Sequence, residues 1–102
     1  MEIDYKHGLP ADDARARLEA LADYLGNKWG IKIAWTAPER ATFSGRYMVV
    51  KIQGELTLRE QVVQFRGEDP GFLWRKKASE YITYKLKTYL DPQVQLADLP
   101  RG

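Results

Sequence analysis

The chain has 102 residues, of which sixteen are basic and fourteen acidic, and its formal net charge is +2. This length corresponds to one domain with enough residues for a hydrophobic core, and the 44% hydrophobic content argues against a disordered chain. Basic and acidic residues interleave, so the strong basic field of nucleic-acid-binding proteins is missing and we expect no nucleic-acid partner. The absence of cysteine excludes disulfides and thiolate chemistry, and it fits a reducing compartment.

Targeting signals are not apparent in the sequence. The first residues show no positive region followed by an apolar run, which a secretory signal requires. No uncharged apolar segment approaches the ~20 residues that span a bilayer. We therefore expect a cytoplasmic protein with no transmembrane segment.

The first third of the chain predicts a strand followed by a helix. Residues 2–7 alternate between apolar and polar side chains, which is typical of a short strand. Pro10 suits the first turn of a helix, and apolar residues then recur at helical spacing as far as Lys28. Gly30 predicts a left-handed cap that ends this helix.

Several strands are predicted in the middle of the chain. Residues 31–36 and 41–44 alternate, and Gly45 with Arg46 predicts a turn into the longest alternating segment, residues 48–58. The even positions of that segment are apolar and the odd ones mostly polar. A helix cannot hold such a period, so we predict a strand with one buried face and one wet face.

Gly54 lies inside this long strand. It predicts a bend or bulge there, or else a hairpin turn together with Gln53. The apolar residues occupy even positions both before and after Gly54, as expected for one continuous strand, so we favour the bend. The next turn is then predicted at residues 59–60, and the last strand at residues 61–66 with Val63 and Phe65 pointing inward.

The last third predicts a second helix, over residues 72–90, which Asp91 and Pro92 end. Residues 92–102 show no periodicity, and we expect them to form a loosely ordered tail behind a single domain of residues 1–91. The order of elements is β-α-β-β-β-β-α. We predict an α+β two-layer sandwich, in which both helices pack on one face of an antiparallel sheet of four to five strands.

The other face of this sheet is a candidate surface. A mixed patch of this kind can pair two subunits into a homodimer or hold a ligand, although we favour an ordinary wet face. The residues assigned to it are Tyr47, Val49, Lys51, Gln53, Glu55, Thr57 and Val62.

Enzymatic chemistry finds no support in the sequence. His7 is the only histidine, and without a second histidine or a cysteine nearby it is interpreted as structural or surface-exposed. The glycines are scattered singly and form no phosphate loop, and Ser44 and Ser79 lack the surroundings of a nucleophile. We therefore predict no catalytic residue, no cofactor and no metal site.

A more unusual pattern opens the second helix. Three consecutive large apolar residues cannot share one helical face, since neighbours differ by about 100°. Leu73 and, further on, Tyr84 point away from the core side. Either the loop or the tail covers them, or an exposed apolar patch meets a partner or a hydrophobic surface. The segment, which we call the anchor segment, comprises Phe72, Leu73, Trp74, Arg75, Lys76 and Lys77.

A set of apolar and glycine positions within residues 3–90 carries a family resemblance. They are Ile3, His7-Gly8-Leu9, Ala14-x-x-x-Leu18, Trp29-Gly30, Trp35, Phe43-x-Gly45, Ile52-x-Gly54 and Gly71-Phe72-Leu73. At these positions the chain resembles the polyhydroxyalkanoic acid system family, or granule-region family, of small bacterial proteins. The resemblance implies a role in storage-polyester synthesis or at the polyester granules, and it supplies no catalytic or ligand residues.

Together these observations predict a small non-enzymatic accessory or regulatory protein. Its expected partners are the polyester granule surface or granule-associated proteins, and apolar anchors flanked by cations suit such a surface. The alternative, from another class, is a domain that binds or transforms an acyl or hydroxyacyl group in a pocket between helices and sheet.

Overall fold

A computed structural model describes residues 1–47 and 49–102. Seven helices and strands follow one another, and a short 3-10 helix, Leu96–Asp98, lies near the end. The elements are β1 (Glu2–Lys6), α1 (Ala11–Trp29), β2 (Lys32–Ala37), β3 (Arg40–Tyr47), β4 (Val50–Arg59), β5 (Val62–Gly67) and α2 (Arg75–Tyr89).

The five strands form one antiparallel sheet in the order β1-β5-β4-β3-β2. Both helices cover one face of it, and inward side chains such as Phe43, Val63 and Phe65 join the core with residues of α1 and α2. The rings of Phe43 and Phe65 stack with their centroids 4.5 Å apart. The predicted α+β two-layer architecture, including the inward orientation of Val63 and Phe65, is confirmed.

The helix α1 has the ends that the sequence predicts. Pro10 takes the N-cap position, and Gly30 ends the helix with a φ of 71°, in the left-handed region that favours glycine. The Gly30 amide donates to the carbonyl of Gly26 at 3.0 Å. None of the helices among residues 1–47 and 49–102 combines the length and apolar character that crossing a bilayer requires.

The predicted turn at Gly45 and Arg46 is wrong, because β3 continues to Tyr47. Gly45 instead permits a close approach: a Cβ atom on it would lie 2.9 Å from the Cα of Ile31. The start of the predicted long strand, Met48, lies outside the described residues, and β4 begins at Val50.

Gly54 is an interior residue of β4, so the hairpin alternative is wrong. It pairs with Phe43 of β3 and Gly67 of β5, and no register shift interrupts either ladder. A Cβ atom at Gly54 would lie 2.3 Å from the carbonyl oxygen of Arg66 and 2.5 Å from the Cα of Gly67. Glycine is therefore needed here because β5 approaches β4 closely.

The turn before β5 is displaced by one residue from its predicted position, to Glu60 and Gln61. Gln61 adopts a positive φ of 59°, a conformation that only a few per cent of residues other than glycine adopt. The strand β5 consequently begins at Val62 and not at Gln61.

The second helix starts three residues later than predicted. The amides of Trp74 and Arg75 both donate to the carbonyl of Gly71, at 3.1 and 3.0 Å, and form a turn that precedes α2. Gly71 has a φ of 101°. The helix ends at Tyr89, with Leu90 as its C-cap, directly before the predicted stop at Asp91.

The C-terminal segment, which the sequence predicts to be loosely ordered, lies against α1. Leu99 is buried in the core, and the hydroxyl of Tyr89 donates to the carbonyl of Pro100. Asn27 of α1 donates to the carbonyl of Arg101 at 2.6 Å. These contacts connect the end of the chain to both helices.

Candidate functional site

The anchor segment is open to solvent. Phe72 and Leu73 lie in the turn before α2, and each is 85% exposed. Trp74 is half-buried where α2 begins. Tyr84 is also exposed, at 61%, so the alternative in which the loop or the C-terminal segment covers Leu73 and Tyr84 is wrong. Two adjacent large apolar side chains therefore project into solvent.

The cations of the anchor segment are partly neutralised. Arg75 forms an ion pair with Asp69, whose oxygen lies 2.5 Å from the guanidinium. The hydrogen bond from Arg75 and a second one from the Gly71 amide hold the pKa of Asp69 below its usual value. Lys76 lies 4.0 Å from Glu80 and is highly exposed. The charge that the segment presents is therefore smaller than the sequence suggests.

The outer face of the sheet is more polar than predicted, because Tyr47 does not lie on it. Tyr47 follows the parity of β3 and faces the helices, with its ring centroid 4.7 Å from that of Trp29 and 4.8 Å from that of Tyr81. Val49 lies in the turn between β3 and β4 and is 74% exposed. The predicted patch of Tyr and Val on this face therefore does not form as a unit.

An apolar cavity of about 90 Å³ lies between the helices and the sheet. We call it the interlayer cavity. Its wall is formed by aliphatic and aromatic side chains of α1, α2 and four strands, with Tyr47, Tyr81 and Lys85 as the polar members; the apolar part includes Leu21, Leu25, Trp35, Ile52, Leu56 and Ile82.

Lys85 is the cation of this wall. Its Nζ atom lies 4.0 Å from the ring centroid of Tyr24, on the facing helix α1, and 5.7 Å from that of Tyr81. No carboxylate of the described residues lies within 4.0 Å of it. The side chain of Lys85 lowers the pKa of the Tyr24 phenol by hydrogen bonding and by its charge, and Lys28 adds to the effect.

Tyr81 links Lys85 to the aromatic residues around the cavity. Its hydroxyl accepts a hydrogen bond of 3.1 Å from the indole nitrogen of Trp29. Burial raises the pKa of Tyr81. Its phenol is protonated at neutral pH and can also donate a hydrogen bond. The cavity surface is thus entirely apolar, and Lys85 contributes its aliphatic stem to the wall while its ammonium group lies over the Tyr24 ring.

His7 is placed by the turn after β1. Its Nδ1 atom accepts a hydrogen bond of 3.2 Å from the Leu9 amide, and its Nε2 atom is buried without a partner. Burial lowers its pKa below 6.5. Within the described part of the chain, no group of three or more potential ligand residues could hold a metal ion. The hydrogen bond from the Leu9 amide places His7 in the turn between β1 and α1.

The sequence offered a pocket between helices and sheet as an alternative, but it did not indicate Lys85 or the other residues that line it. Each helix carries a tyrosine followed four residues later by a lysine, Tyr24 with Lys28 and Tyr81 with Lys85. Residues four apart share a helical face. This repeated pair is the signal that could have indicated a common cationic and aromatic surface between the helices.

Comparisons with known proteins identify one family. The family model described as "Putative polyhydroxyalkanoic acid system protein" matches residues 1–94. Neither the search of curated proteins nor that of solved structures found a match. The match includes both helices, all five strands and the anchor segment.

Proposed function

This chain belongs to the polyhydroxyalkanoic acid system family, and on that premise we propose that it binds the surface of polyhydroxyalkanoate granules through the anchor segment. It is an accessory or regulatory protein of the cytoplasm that acts at the granule by binding and not by catalysis. The observation that carries this proposal is the exposure of Phe72 and Leu73 side by side.

The energetic argument rests on these two apolar side chains. Removing a large apolar side chain from water contributes about 1.5–3 kcal/mol, and a polyester surface can bury both at once. Lys76 and Lys77 start the adjoining helix, where their aliphatic stems can lie along an apolar surface while their ammonium groups stay in water. The apolar contribution dominates, because Arg75 is already paired with Asp69.

Co-sedimentation with purified granules tests the proposal. The wild-type protein should pellet with the granules, and Phe72→Ser combined with Leu73→Ser should weaken its binding at least tenfold. Val49→Ser is the matched control, because Val49 is also a highly exposed apolar residue but lies outside the anchor segment. The binding should change little between low and high salt, since screening acts on charges and not on apolar contacts.

Two results would overturn the proposal. Retention of the wild-type protein in the supernatant excludes granule binding, and equal binding of the double variant excludes this segment as the anchor. Granules stripped of their proteins by protease provide the remaining comparison. If only unstripped granules bind the protein, its partner is a granule-associated protein and not the polymer surface.

A second function, the binding of an acyl group inside the protein, is favoured by the interlayer cavity. A pocket of about 90 Å³ with an apolar wall suits a short acyl chain better than water. Native mass spectrometry with acyl compounds of increasing chain length tests it. Loss of every adduct in a variant whose cavity is filled supports an internal site, and adducts that persist in that variant contradict it.

A further inference from the structure

The interlayer cavity and Lys85 together specify a class of ligand. The cavity holds about 90 Å³, which is the liquid volume of about three water molecules at ~30 Å³ each. A chain of about three carbons occupies a comparable space. Because its walls are aliphatic and aromatic, water inside would lack the hydrogen-bond partners that it needs.

The polar end of the ligand is indicated by charge. The aliphatic stem of Lys85 contributes to the cavity wall, whose surface is entirely apolar, so a chain inside the cavity contacts this stem and only a head group outside the apolar space can reach the ammonium group. Its Nζ atom lies among the rings of Tyr24, Tyr81 and Tyr84, within 4.0 to 5.9 Å of their centroids. Within the described residues it has no carboxylate partner at ion-pair distance. A second cation, Lys28 of α1, has its Nζ atom 5.8 Å from the centroid of the Tyr24 ring.

We propose that the interlayer cavity binds a short aliphatic carboxylate, with the three- or four-carbon chain in the cavity and the carboxylate paired with Lys85. The inference rests on the second function proposed above and adds the identity of the head group. The carboxylate then lies beside the Tyr24 ring, whose centroid is 4.0 Å from the same ammonium group. The ligand neutralises Lys85 and fills the apolar space in a single binding event.

Titration with sodium butyrate at constant ionic strength, followed by NMR, tests this inference. Trp35 lines the cavity, so its indole resonance should shift and saturate with butyrate. Butyramide has the same chain but no charge, and it should bind about tenfold more weakly, because hydrogen bonds to charged groups are the stronger ones. Acetate has the charge but almost no chain, so it should also bind weakly.

Variants separate the two parts of the site. Lys85→Met keeps an unbranched apolar stem but removes the charge, and it should weaken butyrate binding about tenfold while leaving butyramide binding unchanged. Lys87→Met is the matched control, since Lys87 is an exposed lysine of the same helix. Ala22→Leu places a larger side chain in the cavity wall and should abolish the binding of both compounds.

The outcomes that contradict the inference differ from those that contradict the wider proposals. Equal binding of butyrate and butyramide, or equal binding of butyrate by the wild type and Lys85→Met, overturns the role of Lys85 and leaves an acyl cavity. No shift of Trp35 with any of the three compounds overturns the cavity site itself. Granule binding through Phe72 and Leu73 is measured separately and depends on neither result.

Discussion

The guanidinium group of Arg17 donates a hydrogen bond to the backbone carbonyl of Asp91, with 2.9 Å between Nη1 and the oxygen. The same nitrogen lies 3.3 Å from the carbonyl oxygen of Tyr89, and Nε pairs with Asp13 at 3.0 Å. Arg17 is 5% exposed and is the buried charged residue of the described chain. It satisfies carbonyl groups at the end of α2, which no helical amide can reach, and thereby joins α1 to α2.

Arg17→Met should lower the free energy of unfolding by about 2–3 kcal/mol. The variant keeps most of the aliphatic volume but leaves the Tyr89 carbonyl without its donor, which costs ~1–3 kcal/mol, whereas the Asp91 carbonyl keeps the hydrogen bond from the Val94 amide. Urea denaturation monitored by tryptophan fluorescence measures the change. Arg40→Met, which breaks an exposed pair with Glu55, should change stability by less than about 1 kcal/mol; an equal loss in both variants would contradict the bridging role of Arg17.

Gly54→Ala should destabilise the protein by about 3 kcal/mol or prevent its folding. The new methyl group would meet backbone atoms of β5 at 2.3 and 2.5 Å, and a paired strand cannot yield as a flexible side chain can. Gly8→Ala is the control, because a Cβ atom at Gly8 meets nothing within 4 Å. Thermal denaturation by circular dichroism compares the two variants, and a Gly54→Ala protein as stable as the wild type would disprove the close approach of β4 and β5.

The stability of the protein should fall as the pH drops through the titration range of His7. Burial lowers the pKa of His7 in the folded state below 6.5, so the unfolded state binds more protons in this range. The contribution of neutral His7 is therefore fully present above pH 6.5 and is lost as the pH falls through the folded pKa.

His7→Asn tests this dependence. The asparagine side-chain oxygen can still accept the hydrogen bond that Nδ1 accepts from the Leu9 amide, but it does not titrate. Urea denaturation between pH 7.5 and pH 4.5 should show a shallower loss of stability for the variant than for the wild type. Parallel pH profiles would rule out a contribution from His7.

Leu99→Ala decides whether the C-terminal segment is ordered. Leu99 is buried against the core in the structure, so its truncation should reduce the free energy of unfolding by about 2 kcal/mol. Gln95→Ala, at an exposed position of the same segment, should have no effect. An unchanged stability of Leu99→Ala in urea denaturation would support the loosely ordered tail that the sequence predicts.

The anchor segment illustrates what local pattern can and cannot predict. Three large apolar residues in succession indicate that some of them leave the core face, and the sequence alone therefore placed Leu73 on the side away from the core. That nothing covers it depends on the path of the loop and of residues 92–102. The neutralisation of Arg75 by Asp69 likewise depends on a turn that brings residues six positions apart together.

Tyr47 shows how one wrongly predicted turn assigns a side chain to the wrong face of the sheet. The sequence predicts a turn at Gly45, which places Tyr47 in the next strand and on the wet face. In the structure β3 continues through Gly45, and Tyr47 shares the inward parity of Ala41 and Phe43. A shift of one position in a strand moves each side chain to the opposite face of the sheet. The assignment of side chains to faces is therefore correct only where the strand boundaries are predicted correctly.

The sequence by itself determined the spacing of apolar residues in each segment. That spacing specifies the two helices, the sheet with one apolar face and the inward positions of Val63 and Phe65. These follow from side-chain geometry along a single element. Only the tertiary structure decided the burial of Arg17, the need for glycine at residue 54 and the space beside Lys85. Each of these depends on the distance between atoms of different elements, and no pattern within one element encodes that distance.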